Sequence, residues 1–169
     1  MYERILVRYG DLTLKGKNKK VFIDRVNQLV RDKVNNPNVK YERNHDRLYI
    51  NLNGEDHEDV IKGLDRVSGL SSYSLVSKVE RDIESIKEKA LEVVKSELTD
   101  KVVTFKVESK RADKLYPITS PEMSKIVAKY VLQNTDLLKV QARKPELTLT
   151  VEIRPDAAFI YCKKIKGMG

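Results

Sequence analysis

Residues 105–121 read FKVESKRADKLYPITSP. Phe105 and Val107 alternate with Lys106 and Glu108, the period of two expected of a strand with one apolar face. The spacing predicts a strand over 102–109 that opens into a basic loop, where Lys110, Arg111 and Lys114 follow with no core to hide in. Tyr116-Pro117 stiffens the loop, and Ser120-Pro121 has the order of a helix N-cap and first helical residue. Strand, basic loop and helix start in succession describe cationic side chains held beside exposed amides, chemistry suited to phosphate.

Outward from this segment, the same periodicities divide the chain into two units of similar size. The first opens with a strand over 3–9 and the loop GDLTLKGKN. A helix over 19–35 follows, with Phe22, Val26, Leu29, Val30 and Val34 on one face, and Asn36-Pro37-Asn38 stops it. Strands over 39–43 and 47–52 flank Asn44-His45-Asp46 as a hairpin. A helix over 56–67 buries Val60, Ile61 and Leu64, Ser68-Gly69 ends it, and a strand covers 72–79. The order β-α-β-β-α-β is that of a ferredoxin-like layer of two helices on an antiparallel sheet.

The second unit begins with a helix over 82–98, its Ile83, Ile86, Ala90, Val93 and Val94 at helical spacing. After the strand and basic loop, a helix over 121–134 turns Met123, Ile126, Val127, Tyr130 and Val131 inward, and strands fall near 139–142, 147–153 and 157–164. The expected class is α+β, with a mixed sheet in the second unit and mostly antiparallel pairing.

Composition sets the limits. The chain has 169 residues, 40% hydrophobic and 34% charged, as in globular proteins with a packed core. No apolar run approaches the roughly 20 residues of a membrane span, and MYERILVRYG is no signal peptide, so no membrane role and a cytoplasmic location are expected. A single cysteine, Cys162, excludes an internal disulfide framework. The net charge of +8 is unevenly spread. Residues 101–129 and 139–169 each hold seven basic against three acidic side chains, while Glu55-Asp56-His57-Glu58-Asp59 is acidic. A basic side facing a polyanion is the natural reading.

Three motifs carry a family resemblance. RYGDLTLKGKN (Arg8 to Asn18) resembles the opening signature of the bacterial tRNA 4-thiouridine synthases, or tRNA sulfurtransferases, also needed for thiamine thiazole synthesis. FKVESKRADKLYP followed by SPE resembles the core of that family's THUMP RNA-binding domain. RKPELTLTVEIR and KIKGMG resemble its last strands and the Gly-rich approach to the next domain. The resemblance covers essentially the whole chain. It implies an N-terminal ferredoxin-like domain over about residues 1–76 and a THUMP domain over about 77–167. KGMG at the end looks like the start of a linker and suggests a fragment.

In the family these domains precede an ATP-pyrophosphatase domain that adenylates a uridine before sulfur transfer and carries an SGG-x-DS phosphate loop. Ser68-Gly69-Leu70 lacks the second glycine and the Asp-Ser pair, so this sequence holds no such loop. The resemblance therefore implies a chain that binds the tRNA acceptor stem and its 3′-CCA end and is inactive alone. ATP and Mg belong to the catalytic domain, and a cysteine desulfurase is the implied sulfur donor to the full-length protein. A homodimer is implied for the parent.

RNA binding carries over to Lys106, Lys110, Arg111 and Tyr116, with Lys114, Arg143, Lys144 and Arg154 behind them. Lysine and arginine neutralise phosphates and release counterions; Tyr116 is expected to stack on an unpaired base. Lys15 and Lys17 are further candidates for phosphate contact, with a simple turn before a helix as the rival reading. Arg8 and Tyr9 are read as fastening their loop to the sheet. Cys162 reads as a packing residue, His45 and His57 as surface residues without metal-ligand spacing, and Glu152 with Arg154 as a structural pair across strands. Two alternatives stay open: the THUMP half of another tRNA-modifying enzyme, a methyltransferase or deaminase, and a ferredoxin-like regulatory module that binds no RNA.

Overall fold

The structure is a computed structural model that describes residues 2–10, 17–43 and 47–164, except for the side chain of Lys17. The chain divides after Leu75 into two compact units.

The first unit contains β1 (Arg4–Tyr9), α1 (Lys17–Val34), β2 (Lys40–Arg43), β3 (Arg47–Asn51), α2 (His57–Leu64) and the start of β4 (Leu70–Val79). Its strands lie in the order β2-β3-β1-β4, with β1–β3 and β2–β3 antiparallel. The ferredoxin-like expectation is met. Ile5, Val7, Ile23, Val26, Val30, Leu48, Ile50, Val60 and Leu64 pack as one buried core. Each fully buried side chain of this kind contributes about 1.5–3 kcal/mol relative to exposure.

Local chemistry sets the ends of these elements. Asn35, at a φ of 46°, takes the left-handed position that closes α1, and its N–H donates to the Arg31 carbonyl at 3.0 Å. Asp56 caps α2 by accepting from Glu58 N at 2.9 Å. Gly63 lets α2 lie against α1, because a Cβ there would stand 2.7 Å from Val34 Cα and 2.8 Å from the Lys33 carbonyl oxygen. Arg8 reaches β4, donating to Ser74 Oγ at 2.8 Å and Ser72 Oγ at 3.3 Å, and Tyr9 donates to Asn27 Oδ1 at 2.7 Å. Arg8 thus fastens β1 to β4 and Tyr9 fastens it to α1, while the loop that the two were expected to hold to the sheet lies outside the described residues.

The second unit takes the end of β4 and adds α3 (Ile83–Glu97), β5 (Val103–Arg111), α4 (Ser120–Gln133), β6 (Leu138–Val140), β7 (Leu147–Ile153) and β8 (Ala158–Lys164). Its strand order is β4-β8-β7-β5-β6. α3 and α4 bury Ile86, Ala90, Val94, Met123, Val127 and Val131 with Phe105, Leu149, Val151 and Ile160 of the sheet.

The pairing is less antiparallel than the sequence suggested. β5 runs parallel to both β6 and β7, while β7–β8 and β4–β8 are antiparallel. α4 returns the chain to the start of β5, which makes β6 parallel to it. A short connection then crosses β5 so that β7 sets out in the same direction on its other side. Gln141 N donates to the Phe105 carbonyl at 2.9 Å, and the Glu146 carboxylate accepts from Thr104 N and Oγ1, both at 3.2 Å.

Candidate nucleic-acid interface

β5, beside the edge strand β6, runs two residues further than its alternation suggested. Lys110 and Arg111 belong to β5, opposite Glu152 and Ile153 of β7, and not to the loop that follows. The seven-residue parallel register with β7 extends the strand. Phe105 turns to the helices, so Lys106, Glu108 and Lys110 take the opposite face.

These lysines differ in how much charge they offer. Lys106 Nζ is paired with Glu108 Oε1 at 2.8 Å. Lys110 is exposed and has no ion pair among the described residues. Lys114 is exposed and equally uncompensated. Arg111, half-buried on the helix side, donates from Nη1 to the Tyr116 carbonyl at 3.0 Å. Arg154 is engaged by Glu152, Nε to Oε1 at 3.3 Å, and its guanidinium lies 5.1 Å from the centre of the Phe159 ring. Glu152 and Arg154 thus pair along one stretch of chain, two residues apart, and not across strands.

Tyr116 corrects the stacking expectation. Its side chain is 6% exposed and belongs to the core under the loop. Its hydroxyl donates to the Arg81 carbonyl at 2.7 Å, and the Arg81 guanidinium lies 4.9 Å from its ring centre. Burial raises the phenol above its ordinary pKa, partly offset by Arg81. A ring so enclosed has no face left for a base. Arg81 also bonds Asp113 Oδ2 at 2.9 Å and the carbonyls of Pro155 and Arg154 at 2.7 and 3.2 Å. The loop between β5 and α4 is therefore a braced turn.

The start of α4 also differs from expectation. Thr119, not Ser120, is the N-cap: its Oγ1 accepts from Glu122 N at 3.4 Å and donates to Glu122 Oε1 at 2.9 Å. Glu122 is thus turned back on the N-cap hydroxyl, and its carboxylate stands where the helix dipole would otherwise attract an anion. One of the helix-start amides, that of Glu122, is thereby occupied by Thr119.

Arg143 and Lys144 lie elsewhere. Both are exposed without side-chain partners among the described residues, and the Gln141 amide holds their carbonyls at 2.8 and 3.4 Å. Their connection is tied to Thr104 and Phe105, at the start of β5, whereas Lys110 and Lys114 stand at its end. Six residues of strand between Thr104 and Lys110 span about 20 Å. The candidates thus form two patches. Lys15 and the side chain of Lys17 lie outside the described residues, as does His45.

The register adds two lysines that motif reading passed over. Lys139 pairs with Thr104 and Lys163 with Thr148, on the face that Lys106 shares, and both are exposed. β8 offers no alternation that would single out Lys163, because Ala158, Phe159, Ile160, Tyr161 and Cys162 are all buried. Cys162 is buried, which pushes its thiol far above the ordinary value and makes it a packing residue. His57, half-buried, sets its ring edge-on to Tyr2 with centroids 4.8 Å apart. Among the described residues no group of three His, Cys, Asp or Glu side chains is placed to hold a metal, and no helix is long and apolar enough to cross a membrane.

Residues 4–74 match the ThiI ferredoxin-like domain and residues 80–163 the THUMP domain. A probable tRNA sulfurtransferase of Acholeplasma laidlawii is 46% identical over 169 residues, covering 100% of this chain and 41% of the relative. The chain thus spans well under half the length of that relative. The crystal structure of a 4-thiouridine synthetase–RNA complex with bound ATP superposes with a TM-score of 0.72 at 28% identity, over 98% of this chain and 42% of the other. PH1313 from Pyrococcus horikoshii gives 0.66 at 25% identity, over 98% and 55%. With a ThiI ferredoxin-like domain followed by a THUMP domain, the chain belongs to the tRNA sulfurtransferase family.

Proposed function

We propose that this chain is the tRNA-binding portion of a tRNA 4-thiouridine synthase. It holds the acceptor stem and 3′-CCA end while an ATP-pyrophosphatase domain outside this sequence thiolates a uridine. The observation that carries the reading is the pair Lys110 and Lys114, exposed and uncompensated at the end of β5 beside a turn braced by Arg81. Arg143 and Lys144 form the second contact, Arg111 contributes from its half-buried place against the Tyr116 carbonyl, and Lys106 and Arg154 contribute through whatever charge Glu108 and Glu152 leave unneutralised.

Tyr116 supports the loop from below. ATP and Mg act in the catalytic domain, a cysteine desulfurase supplies its sulfur, and a homodimer lets one subunit hold the tRNA while the other reacts. The parent protein works on tRNA in the cytoplasm and also serves thiamine thiazole synthesis.

A gel-shift titration with tRNA over a salt series tests this. Micromolar or tighter binding that weakens several-fold per doubling of salt is expected. Indifference to tRNA, with Lys110→Ala/Lys114→Ala silent, would instead favour a regulatory module.

A further inference from the structure

Residues 112–118 form a turn whose polar groups are spent inward. Ala112 N and Asp113 N both donate to the Ile153 carbonyl, at 2.9 and 3.2 Å. Asp113 Oδ1 accepts from Leu115 N at 3.0 Å, its Oδ2 from Arg81 at 2.9 Å, and its carbonyl from Tyr116 N at 3.1 Å. Arg111 and Arg81 fix Tyr116 on either side. At the tip of this braced turn the Leu115 side chain is 92% exposed.

Single exposed leucines are common on protein surfaces. Leu115 differs in its setting. It is neighbour to Lys114 and comes five residues after Lys110, which stands at the end of β5, and neither lysine has an ion pair among the described residues. Its apolar surface stays in water, so it contributes almost nothing to folding. Two uncompensated cations beside an apolar tip complement a partner that brings negative charge and a flat apolar face together. An unpaired nucleotide does so, since its phosphate and base come as one unit.

We propose that Leu115 is a base-contact residue, its isobutyl group packing on the face of an unpaired nucleobase while Lys110 and Lys114 hold the flanking phosphates. The proposal rests on the RNA-binding reading above and assigns to Leu115 the contact that the enclosed Tyr116 cannot make.

The test is an anisotropy titration of the full chain with a short RNA duplex bearing a single-stranded 3′ overhang and with the same duplex blunt-ended, each at several salt concentrations. Leu115→Ser is expected to weaken overhang binding about five- to tenfold, toward the lower end of base-stacking contributions. It leaves blunt-duplex affinity and the salt slope unchanged, because no charge is removed. Leu115→Met restores most of the overhang affinity, and Lys110→Ala/Lys114→Ala lowers the salt slope. Equal affinity of Leu115→Ser and the native chain for the overhang overturns the proposal while leaving RNA binding intact, and so does an equal weakening on both RNAs. A native chain that binds neither RNA overturns the RNA-binding reading itself.

Discussion

Arg81 and Tyr116 hold each other from opposite ends: the tyrosine hydroxyl donates to the arginine's own carbonyl at 2.7 Å, and the guanidinium lies 4.9 Å from the tyrosine ring centre. The residue that begins the approach to α3 is thereby tied to the turn that follows β5. A cation at 4.9 Å over a partly desolvated ring contributes on the order of 1 kcal/mol, and the hydrogen bond adds a similar amount. This closure presents Lys110, Lys114 and Leu115 from a fixed frame.

Tyr116→Phe keeps the ring in the core and leaves the Arg81 carbonyl without its donor. A decrease of about 1 kcal/mol is expected from urea unfolding. Tyr116→Ala opens a cavity and costs about 3–5 kcal/mol. Because the ring supports the loop and does not stack, Tyr116→Phe is expected to bind tRNA as the native chain does. A Tyr116→Phe variant with native stability and weakened tRNA affinity would contradict that assignment.

The two basic patches act independently if about 20 Å of strand separates them. Lys110→Ala/Lys114→Ala and Arg143→Ala/Lys144→Ala are each expected to reduce the salt slope of tRNA binding by about 0.7–0.9 for every phosphate left without its cation. Combined, the reductions should add. A quadruple variant no weaker than either double variant would show that only one patch touches RNA.

Gly63→Ala forces a methyl group to within 2.7 Å of the Val34 backbone. Neither helix can yield without disturbing Val30, Val60 and Leu64, so a destabilisation of about 1–3 kcal/mol is expected in a denaturant titration. A melting temperature equal to that of the native chain would mean that α1 and α2 slide freely past each other.

Stability should fall in mild alkali through Cys162. Burial holds its thiol well above the ordinary value, with Glu97 adding to the effect and Lys164 opposing it. The folded chain keeps a proton that the unfolded chain releases above about pH 8.5. This contribution is intact below that pH and declines as pH rises, by up to about 1.4 kcal/mol per unit. The phenols of buried Tyr9 and Tyr116 and of half-buried Tyr41 add to the decline only near pH 10, because their values are also raised. Urea midpoints at about pH 7.5, 8.5 and 9.5, on either side of the ordinary thiol value, check this: Cys162→Ala starts lower but flattens the curve across that range.

Elements whose signal lies within a few residues were legible in the sequence. The period of 3.6 in α3 and of two in β7 needs no partner to be recognised, and the same signals in the first unit give the ferredoxin-like order. The extension of β5 through Arg111 was not, because it depends on a register with Ile153, far along the chain. The parallel course of β5 and β7 depends on the crossing tied to Thr104 and Phe105, which leaves no local pattern. Thr119 and Ser120 are both good capping residues, and only the contact with Glu122 chooses between them.

The sequence by itself determined two α/β units, a basic second half and, through three motifs, the family. These are properties of composition, periodicity and local order, which survive without knowledge of what packs on what. Only the tertiary structure decided which charges remain available. Whether Lys110 is open while Arg154 is engaged by Glu152, and whether Tyr116 or Leu115 faces the solvent, depends on how the folded strands turn these side chains and on Arg81 arriving from a distant part of the chain. Ion pairing and burial are settled by neighbours in space, and the basic stretch after Phe105 is, once folded, a strand end and a braced turn that carry two open lysines and one exposed leucine.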